Sequence, residues 1–220
     1  MRIGLIAILT VALALQIAGC GKWSKSEKGA AIGATTGAVI GGVIGNKAGN
    51  TAVGAILGAV VGGAAGAYIG HQMDKQAEEM KRDLEGAKIE RVGEGIKITF
   101  ESGILFDVNS ATVRPAAQEN LTKLATILNK YPDTDILVEG HTDSTGTEQY
   151  NMELSKRRSE SVGNLLIGKG VGGTRFQLVG YGETQPADNG NTVESLQNNR
   201  RVEIAVFAND KLKAAAKARG

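Results

Sequence analysis

Between residues 135 and 165 the sequence changes its hydrophobic period, and this change constrains the fold more than any other feature. Up to Asp143 the side chains alternate between two faces, which predicts a strand that ends at Asp143. Thr145 and Glu148 then have the spacing of a capping box, which predicts a helix that begins there. One face of that helix carries residues at spacings of four, three and four: Leu154, Arg158, Ser161 and Leu165.

Two charged residues in this stretch lie where a charge is costly or functional. Arg158 falls on the helix face that should be packed, and a partly buried guanidinium is unfavourable unless an anion pairs with it. Asp143 lies at a strand end beside a helix N-terminus, where backbone N–H groups also attract anions. Together they predict a site for a ligand that carries both an ammonium and a carboxylate. Taken singly, Asp143 is also consistent with a helix cap and Arg158 with a structural salt bridge.

These two residues belong to a longer motif, Gly140-His141-Thr142-Asp143-Ser144-Thr145-Gly146, which is followed by Tyr150-Asn151, Leu154-Ser155 and Arg158. Three further motifs complete the pattern: Phe106-Asp107 with Ser110-Ala111, Gly180-Tyr181-Gly182-Glu183, and Asn199-Arg200-Arg201-Val202-Glu203-Ile204. With these motifs in register, residues 89–208 resemble the OmpA-like peptidoglycan-binding domain. The whole chain resembles the small outer-membrane lipoproteins of Gram-negative bacteria that join a glycine-zipper segment to this domain.

The resemblance implies a pocket for the free end of the diaminopimelate residue in the peptidoglycan stem peptide, which is a zwitterion. It implies that Asp143 pairs with the ammonium and Arg158 with the carboxylate, for which a guanidinium fork is well suited. It also implies supporting roles for Phe106 and Asp107 in one wall, Asn151 as a hydrogen-bonding or pocket-fixing residue, Leu154 as an apolar floor, and Arg201 at the rim.

The alternation of strands and helices predicts an α+β fold, and the resemblance implies an OmpA-like βαβαβ-type sandwich of one sheet and one helical layer. Besides the strand that ends at Asp143, strands are predicted at Gly95–Phe100, Ile104–Phe106, Phe176–Tyr181 and Arg201–Phe207. Helices are predicted to begin near Pro115 and after Asn191. Residues 209–220 are predicted to be a basic, frayed tail.

Glycine recurs every four residues from Gly29 to Gly49 and, after a shift of five, from Gly54 to Gly70. Since Ala, Val and Ile fill most of the gaps, residues 29–70 are predicted to form a glycine-zipper hairpin of two apolar helices, the second over Thr51–Gly70. In lipid the helices would be enforced and the glycine faces would pack closely. A water-soluble zipper, packed on itself or on a partner, is the alternative, and either form would permit self-association.

Residues 71–88 have a different pattern, in which apolar residues repeat at four, three, four and three: Met73, Ala77, Met80, Leu84 and Ala87. This spacing predicts an amphipathic linker helix. It is consistent either with a stalk that pairs with another copy or with a helix that lies on the C-terminal domain.

Residues 1–19 combine Arg2 with an apolar run and small residues, which indicates an export signal. The ending Ile17-Ala18-Gly19-Cys20 resembles the lipobox of bacterial lipoproteins, which implies that Cys20 is acylated and anchors the chain. A polar spacer follows over residues 20–28, and Gly21 directly after the cysteine implies sorting to the outer membrane. The alternatives are an ordinary signal peptide with a chance cysteine and an uncleaved anchor.

Composition argues against several classes of function. A net charge of +2 and 4% aromatic residues give neither the electrostatic field nor the stacking surface that a nucleic-acid partner requires. His141, Asp143 and Glu139 lie on one strand face, but the spacing of a metal or catalytic set is lacking, so no catalytic residue, metal or cofactor is predicted. We therefore expect a lipid-anchored, non-enzymatic outer-membrane tether whose C-terminal domain binds peptidoglycan in the periplasm. An envelope assembly or oligomeric membrane component with the same domain, and a peptidoglycan-active enzyme, are the alternatives.

Overall fold

The computed structural model describes residues 50–219, which fold around a five-stranded sheet. The strands are β1 (Ala87–Val92), β2 (Gly95–Glu101), β3 (Thr134–Gly140), β4 (Phe176–Gly180) and β5 (Arg201–Ala208). Their order across the sheet is β1-β2-β5-β3-β4; β3 and β4 pair in parallel, and the other neighbours are antiparallel. This mixed sheet with its flanking helices confirms the predicted α+β fold.

The helices of the described segment are α1 (Thr51–Gly58), α2 (Gly63–Asp83), α3 (Ser102–Leu105), α4 (Pro115–Lys130), α5 (Glu148–Gly168), α6 (Val193–Asn199) and α7 (Asp210–Lys217). Helix α4 begins at Pro115 as predicted, because a proline at the first helical position lacks only an N–H that would be unpaired there. The caps of two other helices lie slightly later than predicted. Thr147 caps α5 and Thr192 caps α6, each accepting a hydrogen bond from a backbone N–H three residues on.

One face of the sheet forms the main core. The alternating residues of β2 and β5 are fully buried there: Ile96, Ile98, Phe100, Val202, Ile204 and Val206. Helices α2 and α4 cover them with the buried side chains Met73, Met80, Leu121, Leu124 and Leu128. Burial of these apolar side chains is the main source of stability for the domain.

The other face of the sheet is also covered, which the predicted single helical layer did not include. Helix α1 packs a small apolar set, Ala52, Ala55 and Ile56, against Leu137, Ala205 and Phe207. Asn50 caps this helix by accepting a hydrogen bond from the Val53 N–H (2.9 Å). Because both faces are covered, all eight residues of β5 are buried.

The predicted helix over Thr51–Gly70 is wrong, since α1 ends at Gly58 and α2 begins five residues later, at Gly63. Gly62 and Gly63 have φ angles of +72° and +62°, which glycine adopts without steric cost. The Glu94 carboxylate accepts hydrogen bonds of 2.9 and 2.8 Å from two successive backbone N–H groups of this turn. The turn therefore carries the chain from one face of the sheet to the other.

The segment predicted as a linker helix over residues 71–88 is instead the continuation of α2, which ends at Asp83. Its seam residues Met73, Ala77 and Met80 are at most 1% exposed because they lie in the main core. Of the two alternatives, the helix on the domain is therefore confirmed and the separate stalk is wrong. Residues from Ala87 onward form β1, a strand that the pattern did not predict.

Two further segments differ from their predictions. Ile104–Phe106 is not a strand: α3 occupies this position, and Phe106 forms an isolated bridge with Val113. The tail over residues 209–220 is not frayed where it is described, because α7 packs Leu212 and Ala216 into the main core.

The predictions for residues 1–49 lie outside the described residues; they include the signal, Cys20, the spacer and the first zipper helix. Within residues 50–219, none of the helices is both long enough and apolar enough for a membrane crossing.

Truncation of Ile56 tests whether α1 is part of the folded domain. Ile56 is fully buried, so Ile56→Ala should lower the free energy of unfolding by about 2 to 5 kcal/mol. Urea unfolding of the full chain, followed by circular dichroism, measures this change. Leu57→Ala is the matched control, because Leu57 is 54% exposed and its truncation should cost less than about 0.5 kcal/mol. Equal, small effects of both variants would mean that α1 does not pack on the sheet.

Candidate functional site

Two glycines allow α5 to lie directly on the backbone of β3 and β4. A Cβ atom at Gly140 would collide with the Ser155 carbonyl, and one at Gly180 would collide with the Lys156 backbone nitrogen. Gly140 and Gly180 face each other in the parallel pairing of β3 with β4. The Ser155 hydroxyl also accepts a hydrogen bond from the Gly182 N–H (2.8 Å). This close approach fixes α5 relative to the C-terminal ends of both strands.

A cavity of 250 Å³ lies at this end of the sheet, between α5, the loop after α3 and the loop after β3. The structure brings six of the seven predicted site residues to its lining: Phe106, Asp107, Asp143, Asn151, Leu154 and Arg158. The roles of these residues in binding remain predictions, but their convergence agrees with the juxtaposition that the motif predicted.

Arg158 is a buried cation at this cavity. Its residue is 4% exposed, its Nε donates a hydrogen bond to the Ser110 carbonyl (2.9 Å), and its Cζ lies 5.2 Å from the centroid of the Phe106 ring. Burial lowers the pKa of Arg158, but arginine still remains protonated at neutral pH. Within residues 50–219 no carboxylate forms an ion pair with it, so the structural salt bridge considered above is wrong.

Asp143 provides the opposite charge. Its Oδ1 accepts hydrogen bonds from the Thr145 N–H (2.9 Å) and the Thr145 hydroxyl, and its Oδ2 accepts one from Arg200. Burial alone would raise the pKa of Asp143, but the hydrogen bonds from Thr145 and Arg200 outweigh burial and lower it. The carboxylate is therefore ionised at neutral pH. It does not cap α5, since that role belongs to Thr147.

Asn151 fixes the loop that carries Asp143. Its Nδ2 lies within hydrogen-bond distance of the carbonyl oxygens of Asp143 and Thr145 (3.2 and 3.1 Å) and of a Glu183 carboxylate oxygen (2.8 Å). Of its two predicted roles, the geometry favours the pocket-fixing one. Leu154, one turn further along α5, is 4% exposed and contributes an apolar side chain to the lining.

Comparison with known proteins places this arrangement in a family. A profile of the OmpA family matches residues 105–200, and a profile of the YMGG-like Gly-zipper matches residues 1–74. The chain is 35% identical over 120 residues to the peptidoglycan-associated lipoprotein of Mesorhizobium japonicum, a match that covers 54% of this chain and 71% of that protein. The chain belongs to the OmpA family.

Two other similar proteins agree with this membership. The probable lipoprotein YiaD of Escherichia coli is 37% identical over 138 residues, which are 62% of this chain and 63% of that protein. The solved structure of the cell wall anchor of the T6SS from Pseudomonas aeruginosa is 32% identical, with a TM-score of 0.53. That similarity covers 62% of this chain and 96% of the solved one. The recognition made from the motifs is therefore confirmed.

Within this OmpA-family domain, the arginine at the rim of the cavity, in addition to Arg158, is Arg200 rather than the predicted Arg201. Arg201 is 3% exposed and lies on the α1 side of the sheet, where its Nε donates to a Glu203 oxygen (2.7 Å) and its Nη2 to the Gln185 carbonyl (3.1 Å). Arg200 lines the cavity and pairs with Asp143. The alternation of β5 contained this signal: if Val202 and Ile204 face the core, Arg201 must face the opposite side.

Arg201 belongs to a buried polar cluster under α1 that also contains Glu139, His141 and Glu203. The nearest oxygen and nitrogen atoms of these three lie within 4.8 Å of one another, and their types would suit a metal ion. Two protein cations already occupy the place, however: Arg201 on Glu203, and Lys97, whose Nζ lies 4.0 Å from the same Glu203 oxygen. The charges therefore disfavour a metal ion, and the predicted lack of a metal site stays a prediction.

Protonation of Glu139 explains the burial of Glu139 beside His141 better than a bound metal ion does. Burial raises the pKa of Glu139 and, as the main effect on its neighbour, lowers the pKa of His141, so burial favours the neutral form of both groups. Glu139 Oε2 lies 3.6 Å from His141 Nε2, so the carboxyl faces the imidazole at a distance slightly longer than a hydrogen bond. His141 also stacks on Tyr181, with ring centroids 5.6 Å apart.

Glu139→Gln tests this protonation state. Since the pKa of Glu139 is raised in the folded state, the unfolded chain releases this proton above about pH 4.5 while the folded chain keeps it. Stability should therefore fall as the pH rises, by up to about 1.4 kcal/mol per pH unit from this group. The lowered pKa of His141 makes stability rise with pH below about 6.5 in both proteins. Urea unfolding at pH 5 to 8 should therefore show a more negative slope of stability against pH for the wild type than for Glu139→Gln. Glu160→Gln, at a carboxylate that is 42% exposed, should keep the wild-type slope; parallel curves for all three proteins would contradict the assignment.

Proposed function

We propose that this chain is a non-enzymatic tether that binds peptidoglycan through the zwitterionic end of diaminopimelate. The observation that carries the proposal is the buried Arg158 guanidinium, which faces a cavity and has no carboxylate partner within residues 50–219. A buried cation without an anion is destabilising, and a fold that keeps one at a cavity favours an anionic ligand.

The chemistry of the cavity supports a carboxylate as that anion. The Nε of Arg158 is engaged by the Ser110 carbonyl. No acceptor of the described chain lies within hydrogen-bond distance of the two terminal nitrogens of the guanidinium, so they remain available for a ligand carboxylate. The face of the Phe106 ring holds the guanidinium plane by a cation–π contact.

Asp143 supports the second half of the ligand. It is ionised, 4% exposed and held from one side by Thr145, and it lines the same cavity as Arg158. A ligand with an ammonium and a carboxylate on one carbon can meet both charges at once. The volume of 250 Å³ suits the end of a side chain rather than a whole stem peptide.

The same electrostatics favour binding over catalysis. A general acid or base works best when its pKa lies near the operating pH. The pKa of Asp143 is lowered below its ordinary acidic value, and Arg158 stays protonated. Both groups therefore hold a fixed charge at neutral pH, which supports ion pairing rather than proton transfer.

The names of the relatives support this function and a location in the cell envelope. They include a peptidoglycan-associated lipoprotein, a probable lipoprotein and a cell wall anchor. By this analogy Cys20 carries the lipid anchor in the outer membrane and the C-terminal domain lies in the periplasm. A strong lipid attachment combined with a reversible ionic attachment would give many copies a high avidity for the wall. Self-association through the glycine zipper would add to that avidity.

Removal of either charge tests the site. Asp143→Ala and Arg158→Ala should each weaken co-sedimentation with purified peptidoglycan by about 10- to 100-fold, because a charge-assisted hydrogen bond is lost. Arg157→Ala is the matched control, since Arg157 neighbours Arg158 on α5 but is 50% exposed and faces Glu153. Circular dichroism checks that all three variants fold. Full retention of binding by both site variants would refute the proposed site.

Replacement of Cys20 tests the anchor separately. Cys20→Ser should abolish incorporation of a labelled fatty acid and shift the protein out of the outer-membrane fraction, because acyl chains contribute about 0.8 kcal/mol per buried CH₂. Peptidoglycan co-sedimentation of this variant should persist. If fractionation is unchanged and no acyl label is lost, the cysteine is not the anchor.

A further inference from the structure

The cavity contains a second arginine whose position differs from that of Arg158. Arg200 caps the end of α6 directly before β5, and its backbone carbonyl accepts a hydrogen bond from the Ser102 N–H (2.8 Å). Its Nη1 pairs with Oδ2 of Asp143. The Arg200 side chain is 40% exposed, whereas that of Asp143 is 5% exposed. The pair therefore joins a half-exposed cation to a buried carboxylate.

We propose that Arg200 occupies the ammonium position of Asp143 until a ligand displaces it, and that this exchange makes the cavity selective for zwitterions. The inference rests on the proposed function, because it assumes that Asp143 receives the ammonium of the ligand. It adds a residue that determines specificity without being the main ligand contact.

The surroundings of Asp143 determine which partner can move. Thr145 donates two hydrogen bonds to Oδ1, and Asn151 holds the loop by its carbonyl oxygens, so the carboxylate cannot turn away. Arg200 has a fixed backbone, but its half-exposed guanidinium can return to water, where solvent compensates it for the lost carboxylate. Exchange at Oδ2 is therefore inexpensive if another cation replaces Arg200.

The resulting charges discriminate between ligands. Four charged side chains line the cavity: Asp107, Asp143, Arg158 and Arg200. Since Asp107 pairs with Arg114 outside the lining, the local charge is set by the other three, which sum to +1. A ligand with an ammonium alone must displace Arg200 and enter a positive site without reaching a second partner. A ligand with a carboxylate alone meets Arg158 but leaves the Asp143 pair as it is. Only a ligand with both groups replaces the lost ion pair and gains another.

Removal of Arg200 should change these preferences in opposite directions. In Arg200→Ala the Oδ2 of Asp143 is vacant and the same groups sum to zero. Binding of an amine should then become about five- to tenfold stronger, and binding of a dicarboxylate should become weaker. A residue with a merely structural role would weaken both.

The experiment is a calorimetric titration of the full chain in detergent micelles with three probes of similar length: meso-diaminopimelate, cadaverine and pimelate. The wild type should prefer meso-diaminopimelate, and Arg200→Ala should lower its preference over cadaverine at least about fivefold. Arg200→Gln, which keeps most of the side-chain length, should behave in the same way and serves if the alanine variant folds poorly.

Arg114→Ala is the matched control. Arg114 is also partly exposed and also pairs with a carboxylate of the lining, since its Nε lies 3.5 Å from Asp107 Oδ1, so it tests whether any lost rim cation has the same effect. It should leave the ratio of the two affinities unchanged. A wild type that does not bind meso-diaminopimelate overturns the proposed function and this inference together. If the wild type binds it but both Arg200 variants keep the wild-type ratio, or lose meso-diaminopimelate without gaining cadaverine, only the role of Arg200 is overturned.

Discussion

The approach of α5 to the bare backbone at Gly140 and Gly180 is the constraint on which the site depends. Since no side chain separates the helix from β3 and β4, the helix axis lies closer to the sheet than ordinary packing permits. Asn151 then reaches the loop after β3, and Arg158, two turns along, reaches the cavity from the same helix. Any side chain at either glycine would push the helix outward and separate Arg158 from Asp143. The two glycines are therefore needed because they lack a Cβ atom, and not because they make the backbone flexible.

This geometry keeps two opposite charges buried at one cavity, but only one of them has its hydrogen-bonding atoms fully paired. Asp143 has donors on both oxygens, whereas the described chain offers Arg158 a single carbonyl and the face of Phe106. A domain selected only for stability would supply a carboxylate for Arg158 or replace it by an apolar side chain. The fold tolerates this cost because the main core is large and apolar, and the unpaired cation lies at the edge of that core. Local sequence rules fail at this position, as expected if Arg158 binds the ligand that we propose.

The parts of the fold and the site that could be predicted are those that depend on residues close together in the sequence. The strand before Asp143, the helix after it and the meeting of Asp143 with Arg158 followed from period and order along the chain. The places of Phe106 and Asp107 followed from the family resemblance. The rim arginine was misplaced by one residue because the motif was followed instead of the alternation of β5, which puts Arg201 opposite Val202. The place of α1 could not be inferred at all. Glycine at every fourth residue predicts a narrow helix, but the apolar strip that α1 covers consists of Leu137, Ala205 and Phe207, far away in sequence.

In the tether that we propose, the position of α1 gives the sheet a mechanical role. Asn50, which connects the domain to the glycine-rich residues before it, donates a hydrogen bond to Glu203 (3.3 Å) on one face of β5. Three residues earlier, Arg200 contacts Asp143 at the cavity on the other face. Between these points β5 is paired along its length with β3, with Glu203 opposite Glu139 and Val202 opposite Gly140. A pull between the membrane side and the wall side would therefore act across one end of the β3–β5 pair, through interstrand hydrogen bonds that both covered faces keep from water.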